Sequence, residues 1–167
     1  MPALASSLTL QPATEADLGF LKDLYATTRD QEMQMVPWTD EQKRQFLDMQ
    51  FHAQHTFYHD AYPGSSFDII LLDGQPIGRL YVYRSESVYN ILDIAIMPEW
   101  RGQGIGTYYM HSVMDEAAAS GRPVAIHVEF YNPAQRLYDR LGFRRIEEVG
   151  VHYAMQWDPP TVSLSSQ

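Results

Sequence analysis

Ile94-Ala95-Ile96-Met97-Pro98-Glu99-Trp100-Arg101-Gly102-Gln103-Gly104-Ile105-Gly106 is the stretch whose reading decides the fold. Its first part closes a strand-like run from Ser87 to Met97, rich in Ile and Val, which Pro98 ends because proline has no N–H for a sheet ladder. Its last part opens a helix from Gly104 to Ser120, in which Ile105, Tyr109, Val113 and Ala117 recur at helical spacing and Gly121 is the stop. A helix start leaves several backbone N–H groups unpaired and carries the positive end of the helix dipole. Glycines let an anion approach those groups closely, so phosphate binding is the natural use of such a turn. A turn that needs glycine only for its own backbone stays open as the alternative. Two familiar phosphate-binding patterns fail on detail: the dinucleotide fingerprint requires Gly or Ala where Thr107 stands, and the nucleotide P-loop requires a Gly-Lys-Ser or Gly-Lys-Thr that the chain lacks.

The Ser87–Met97 run is apolar on both alternating faces apart from Asn90 and Asp93, the pattern of a central strand covered on both sides. Upstream, Phe67–Leu72 and Ile77–Arg84 are strand-like and separated by Asp73-Gly74, a hairpin signal. Further upstream, Thr14-Glu15-Ala16-Asp17 reads as a capping box before Leu18, Leu21 and Tyr25, and Thr39-Asp40-Glu41-Gln42 repeats it before Leu47, Phe51, His55 and Tyr58. Residues 4–10 alternate and form a first strand. Downstream come a strand at Val124–Glu129, a helix at Pro133–Leu141, and two strands at Phe143–Val149 and Val151–Trp157. The expected order is β α α β β β α β α β β. The strands flanking the long helix should be parallel within a mixed α/β sheet of about seven strands, and the hairpins antiparallel.

The chain has 167 residues, enough for one domain with its own core. Its 45% hydrophobic and 20% charged content is ordinary globular composition. No apolar run is long enough to span a membrane, and Met1–Leu10 lacks the basic flank of a secretion signal, so a soluble cytoplasmic protein with no membrane partner is expected. The absence of cysteine excludes disulfides, thiolate metal sites and a cysteine nucleophile. A net charge of −9 disfavours nucleic acid, whose phosphates call for Lys and Arg, and leans weakly toward a cationic small molecule or basic peptide, although excess acid more often serves solubility alone. One domain is expected over residues 1–158, with a flexible tail at 159–167.

Arg101-x-x-Gly104-x-Gly106 after Ile94-Ala95-Ile96-Met97-Pro98 resembles the acetyl-CoA signature of the GNAT acetyltransferases. Asn132-Pro133-Ala134-x-x-Leu137-Tyr138-x-x-Leu141-Gly142-Phe143 resembles the second conserved segment of that family, at the usual distance. The order of elements from Leu8 to Trp157 is similar to that fold. The resemblance therefore implies a mixed central sheet with helices on both faces, its parallel fourth and fifth strands splayed around an acyl-CoA site. It implies acetyl-CoA as the acyl donor and no metal. The pyrophosphate would rest on the backbone N–H groups of Gly102, Gln103, Gly104, Ile105, Gly106 and Thr107, with Arg101 entering the turn. The pantetheine arm would pair with the main chain of Ile94, Ala95 and Ile96. Asn132 matches the asparagine that contacts the cofactor, although it stands six residues before Tyr138, one fewer than is usual.

Tyr138 matches the tyrosine that protonates the departing thiolate, a role suited to a phenol whose ordinary pKa of ~10 lies above that of a thiol. The attacking amine must lose a proton first. His127 and Glu129 alternate to one face of the strand before Asn132, and His127 occupies the place where some family members carry a catalytic Glu. Asp93 is a third candidate base, and a water chain without a single base is a fourth route. Arg29, Glu32, Trp38, His55, Tyr58, Tyr81, Tyr83 and Tyr153 are candidates to line the acceptor pocket, where aromatic rings suit a cationic amine. His52, His55 and His59 share a helix face, but no fourth ligand of suitable spacing makes it a metal site. The expectation is an N-acetyltransferase acting on a small-molecule or peptide amine. The alternatives are a non-catalytic acyl-CoA sensing module or an enzyme with another acyl donor, such as propionyl- or succinyl-CoA. A homodimer is common in the family and is left open.

Overall fold

Asp73 and Gly74 both adopt positive φ, 49° and 81°. That is the turn whose twist matches paired strands, and it folds β2 (Ser66–Leu72) back toward β3 (Gln75–Arg84). The computed structural model, which describes residues 7–160, has one seven-stranded mixed sheet in the order β1-β2-β3-β4-β5-β7-β6. The remaining strands are β1 (Leu8–Pro12), β4 (Tyr89–Ile96), β5 (Val124–Glu129), β6 (Arg144–Val149) and β7 (His152–Trp157). The helices are α1 (Leu18–Thr28), α2 (Asp30–Gln34), α3 (Asp40–Ala61), α4 (Ile105–Ala119) and α5 (Gln135–Arg140). β4 and β5 are parallel, as expected of strands that flank a helical crossover. Among the described residues no helix is long and apolar enough to cross a membrane.

The described chain forms two compact units. The first runs to Tyr81 and adds Asp93–Gly106. In it β1 pairs antiparallel with β2, from Leu8 opposite Leu72 to Pro12 opposite Asp68. The capping box at Thr39 closes as the sequence predicts, with the Thr39 hydroxyl accepting from the Gln42 N–H at 3.1 Å and the Gln42 side chain accepting from the Thr39 N–H at 2.9 Å. Such a cap contributes about 1 kcal/mol. Leu21 and Tyr25 of α1, Phe51 of α3 and Ile69 of β2 form a core cluster, with Tyr25 and Phe51 edge to face at 6.1 Å.

The second unit comprises Val82–Leu92 and the chain from Thr107 onward. β5 is its middle strand. Tyr89, Asn90 and Ile91 of β4 register with Val124, Ala125 and Ile126, and on the other side β7 pairs antiparallel along all of β5, from Val124 opposite Trp157 to Glu129 opposite His152. Val124, Ile126 and Val128 are buried, as are Tyr109, Met110, Val113 and Ala117 of α4, while His127 lies exposed and Glu129 half-buried on the opposite face of β5. β6 forms the edge, with a register shift at Ile146.

Four differences from the sequence reading have local causes. α2 is a short helix with no buried residue and no apolar periodicity to announce it. β4 begins at Tyr89 rather than Ser87 because the Ser85 hydroxyl accepts from the N–H groups of Ser87 and Val88, holding a turn there. Only Tyr89 and Ile91 of β4 are buried, and the strand is half-buried from Leu92 to Ile96, so cover on both sides holds for part of its length. The first strand covers Leu8–Pro12 rather than 4–10, and residues 4–6 lie outside the described residues.

β3 carries a glycine where a side chain has no room. A Cβ built on Gly78 would lie 2.4 Å from the Ala95 carbonyl oxygen and 3.0 Å from Ile96 Cδ1. The obstructing atom is backbone, so relief requires β4 to move. Gly78→Ala is expected to destabilise the protein by about 1–3 kcal/mol, the range for overpacking, read as a lower urea midpoint at unchanged slope.

Candidate active site

The turn that opens α4 takes its shape from glycine. Gly102 and Gly104 have φ of 76° and 81°, a region that residues with a Cβ rarely enter. Residues Arg101–Gly104 are exposed, and Ile105, 1% exposed, anchors the first helical turn in the core. Gly104 stands at the N-cap position, where it has no side chain to accept from the first amides of α4. A helix start carries the positive end of the helix dipole.

Arg101 secures the approach to this turn. Its Nε donates to the Ile96 carbonyl at 2.8 Å, and its Nη2 donates to the Thr27 hydroxyl of α1 at 3.3 Å. The side chain therefore ties the end of β4 and the end of α1 to the residue that enters the glycine turn. Met97 N–H donates to the Ile77 carbonyl at 2.8 Å, holding the same end of β4 to β3. Ile94, Ala95 and Ile96 thus sit half-buried on a strand end fixed from three directions: Arg101, Ile77 and the close contact at Gly78.

The first unit also holds a polar group inside the sheet. Arg79, 3% exposed, pairs with Asp93 and donates from Nη2 to the Gln54 side-chain oxygen at 2.8 Å. Its guanidinium lies 4.8 Å from the centre of the Tyr81 ring. Burial opposes the charge on Arg79, but Asp93 and Tyr81 outweigh it and hold the group above its ordinary value. Asp93, read from the sequence as a possible base, is therefore committed to a buried cation.

Next to this pair lies an aromatic cluster. His55 stacks on Phe51 at 5.5 Å and meets His59 at 4.3 Å; His59 stacks on Phe67 at 4.0 Å; Phe67 and Tyr58 meet the Tyr81 ring edge to face at 5.0 and 5.9 Å. The histidine face of α3 is thereby given to ring packing. Among the described residues, His55 Nδ1 and the Tyr81 hydroxyl are buried without a hydrogen-bond partner. Imidazolium needs acceptors at both nitrogens, and His55 has none at Nδ1. Its pKa is lowered, first by burial and then by His59, His52 and Arg79. Of the other acceptor-lining candidates, Arg29 is engaged by Glu32 at 2.8 Å and by the Tyr25 hydroxyl at 3.3 Å, Trp38 lies edge to face with Phe46 at 5.2 Å, and Tyr83 is half-buried on β3.

The other candidates fall in the second unit. His127 and Glu129 share a face of β5, opposite Ala154 and His152 of β7. Asn132 builds a turn: its side-chain oxygen accepts from the Ala134 N–H at 2.9 Å, and its backbone N–H donates to the Glu129 carbonyl at 3.0 Å. This turn delays α5 to Gln135. Tyr138 is 6% exposed, with its ring tilted against Phe143 at 6.0 Å, and Tyr153 lies against Phe130 at 4.6 Å. Thr107 lies in α4.

Three positioning residues escaped the sequence reading. Gly78 and Arg79 sit in a strand where only the fold reveals their neighbours. Gln135, 7% exposed, donates from Nε2 to the carbonyls of Glu129 and Phe130 at 2.9 and 2.5 Å and accepts from Arg145 at 2.9 Å. It fixes the loop after Glu129, and nothing in its sequence context marks it.

Residues 21–143 match the acetyltransferase (GNAT) family. The chain belongs to the GNAT family. Its fold is similar to that of the PaiA N-acetyltransferase of Thermoplasma acidophilum in complex with coenzyme A, at 14% identity and a TM-score of 0.69, covering 91% of this chain and 99% of that one. It is also similar to the ribosomal-protein-S18-alanine N-acetyltransferase of Escherichia coli, at 16% identity and a TM-score of 0.62, covering 94% of this chain and 97% of that one. At these identities the likeness establishes the GNAT fold alone. A stretch of 56 residues, 34% of this chain, is 36% identical to the cysteine-rich protein 2-binding protein of Mus musculus, and spans only 7% of that relative's length.

Two outcomes follow from the buried groups of this GNAT domain. Asp93→Asn leaves the Arg79 charge uncompensated and is expected to destabilise by about 3 kcal/mol, measured by urea denaturation. For His55, the unfolded chain takes a proton near ~6.5 and the folded chain only at lower pH, so between those values the unfolded state binds more protons. Stability is complete above that range and falls as pH drops through it. The melting temperature should decline from pH 7.5 toward 5.5 more steeply in the parent than in His55→Gln.

Proposed function

We propose that this GNAT protein transfers the acetyl group of acetyl-CoA to a primary amine by direct attack in a ternary complex. The observation that carries the reading is the exposed, positive-φ turn at Gly102 and Gly104, leading directly into α4. That turn fits a pyrophosphate: backbone N–H groups from Gly102 to Thr107 supply donors, and the missing Cβ atoms permit close approach. Ile94, Ala95 and Ile96 would hold the pantetheine arm through their main chain, which explains a strand end that is half-buried and apolar yet held in place so firmly. The amide nitrogen of Asn132 remains the group on that side chain able to donate to the cofactor, since its oxygen serves the Ala134 turn.

Acetyl-CoA supplies a thioester acetyl that an unprotonated amine nitrogen can accept as the thiol leaves. Tyr138 provides the proton for the thiol from a desolvated phenol, and phenols are protonated at neutral pH. His127 and Glu129 receive the amine's proton; Asp93 does not, because Arg79 holds it. The acidic balance of the chain, 21 Asp and Glu against 12 Lys and Arg, draws a cationic acceptor such as a small amine or a basic peptide terminus. PaiA and the S18-alanine enzyme are N-acetyltransferases by name, which supports nitrogen as the acceptor atom here.

Calorimetry should show acetyl-CoA binding in the micromolar range, and a thiol-release screen over small amines and peptides should find an acceptor. Tyr138→Phe should reduce kcat by about 10²-fold or more with cofactor affinity unchanged. Absence of binding at millimolar acetyl-CoA would remove the reading. Binding without release across the whole panel would favour a sensing module, and preferential release from propionyl- or succinyl-CoA would reassign the donor.

A further inference from the structure

The face of β5 that carries His127 and Glu129 gains a third titratable side chain from the neighbouring strand. His152, the first residue of β7, stands directly opposite Glu129, and Ala154 stands opposite His127. Residues opposite one another across paired strands share a face, so these four occupy adjoining positions of one surface. Ring contacts place the alternate residues on the other surface: Phe130 lies against Tyr153 at 4.6 Å, and the Arg145 guanidinium lies 4.3 Å from the centre of the Tyr153 ring. We propose that, within the amine-acetylation reading on which this rests, His152 is a catalytic residue: the imidazole that takes the proton of the acceptor amine, with Glu129 as its partner.

The ladder brings the Glu129 and His152 side chains close. The Phe130 N–H donates to the Val151 carbonyl at 3.0 Å, which makes those two a hydrogen-bonded pair. Hydrogen-bonded and non-hydrogen-bonded pairs alternate along antiparallel strands. Glu129–His152 and His127–Ala154 are therefore of the second kind, in which Cα atoms lie about 4.5 Å apart and side chains approach most closely. Glu129 and His152 are both half-buried, whereas His127 is exposed. A carboxylate beside an imidazole stabilises imidazolium and fixes which ring nitrogen faces outward. His127 has only the methyl of Ala154 opposite it. His127 and His152, on a diagonal of about 7–8 Å, thus flank a position that no long side chain occupies. β6 completes the surface, with Glu147 and Val149 opposite Ala154 and His152. Its one cation from β6, Arg144, lies at the far end opposite Gln156 and is paired with Asp158. The titratable groups of β5 and β6 nearest His152 are therefore Glu129, His127 and Glu147.

An ammonium acceptor gives one proton to the neutral imidazole of His152, which leaves a lone pair on the nitrogen and an imidazolium beside Glu129. The lone pair forms the C–N bond at the acetyl carbonyl carbon while the C–S bond breaks and sulfur keeps its electron pair. Tyr138 protonates that sulfur, and the second proton shed by the nitrogen restores the phenol. The proton on His152 passes by way of the exposed His127 to water. The products are the amide, the free thiol and one released proton.

Thiol release by the full chain, followed against pH with an acceptor from the amine panel, tests the assignment. His152→Gln should lower kcat by about 10²-fold or more, with acetyl-CoA affinity unchanged by calorimetry. Its remaining activity should climb with pH up to the acceptor's own ionisation, because only the free amine then reacts, whereas the parent should level off at lower pH. His152→Ala should regain activity in proportion to added imidazole, a rescue that a packing role does not allow. His127→Gln should cost less than about tenfold, since water can take the place of an exposed ring. Far-UV circular dichroism and melting check the fold of each variant, and if His152→Ala does not fold, the pH profile of His152→Gln decides alone. A folded His152→Gln within about threefold of the parent, a folded His152→Ala that imidazole fails to rescue, or a larger loss in His127→Gln than in His152→Gln would each overturn the proposal. A parent that binds acetyl-CoA and releases no thiol with any amine would instead overturn the acetylation reading, and the role of His152 with it.

Discussion

Backbone amides at the start of a helix require acceptors, and α4 begins directly after an exposed glycine turn. Gly102 and Gly104, both at positive φ, shape that turn, and residues 101–104 are exposed. Ile105, the first residue of the helix, is buried, and the strand before it is held in place. Arg101 performs the second task with two hydrogen bonds, one to the Ile96 carbonyl and one to Thr27. The helix start, the strand end and the arginine between them thus form one constraint, and the placement of everything nearby depends on it.

The interior of the first unit is organised by a charged pair rather than by apolar contact alone. Arg79 is nearly inaccessible, and its charge is compatible with burial because Asp93, Gln54 and the Tyr81 ring surround it. Such pairs seldom add net stability over a hydrophobic replacement; their effect lies in geometry, since neither partner can shift without stranding the other. Asp93 is on the same strand as Ile94–Ile96. The pair consequently fixes β4 from within the sheet while Arg101 fixes it from the turn, and Gly78 allows β3 to approach closely enough for both to act.

Most of this architecture was legible in the sequence because it is written in local chemistry. Both capping boxes closed on the predicted residues, and Asp73-Gly74 formed the predicted turn. The parallel β4–β5 pair followed from a helix between two strands. What escaped depends on distant neighbours. Gly78 looks like any strand glycine until Ala95 lies across it, Gln135 like any helix glutamine until it takes two carbonyls of the loop after β5, and Asp93 like a free acid until Arg79 reaches it. The Ser85 hydroxyl trimmed β4 by a side-chain contact that competes with the ladder.

The same distinction explains why the acyl donor is easier to read than the acceptor. A diphosphate gripped by main-chain amides asks only for glycines at certain positions, which a sequence displays as a local pattern. An acceptor amine is met by side chains, whose identity varies freely on the same backbone and whose position depends on packing. In this chain the aromatic groups that the sequence offered for that task are largely engaged with one another: His59 on Phe67, Phe67 and Tyr58 against Tyr81, Phe130 on Tyr153. Each ring committed to a neighbour is one less ring defining the amine. The polar groups of β5 and the loop after it are less engaged: His127 is exposed, Glu129 is half-buried, and Gln135 ties the loop through the Glu129 and Phe130 carbonyls.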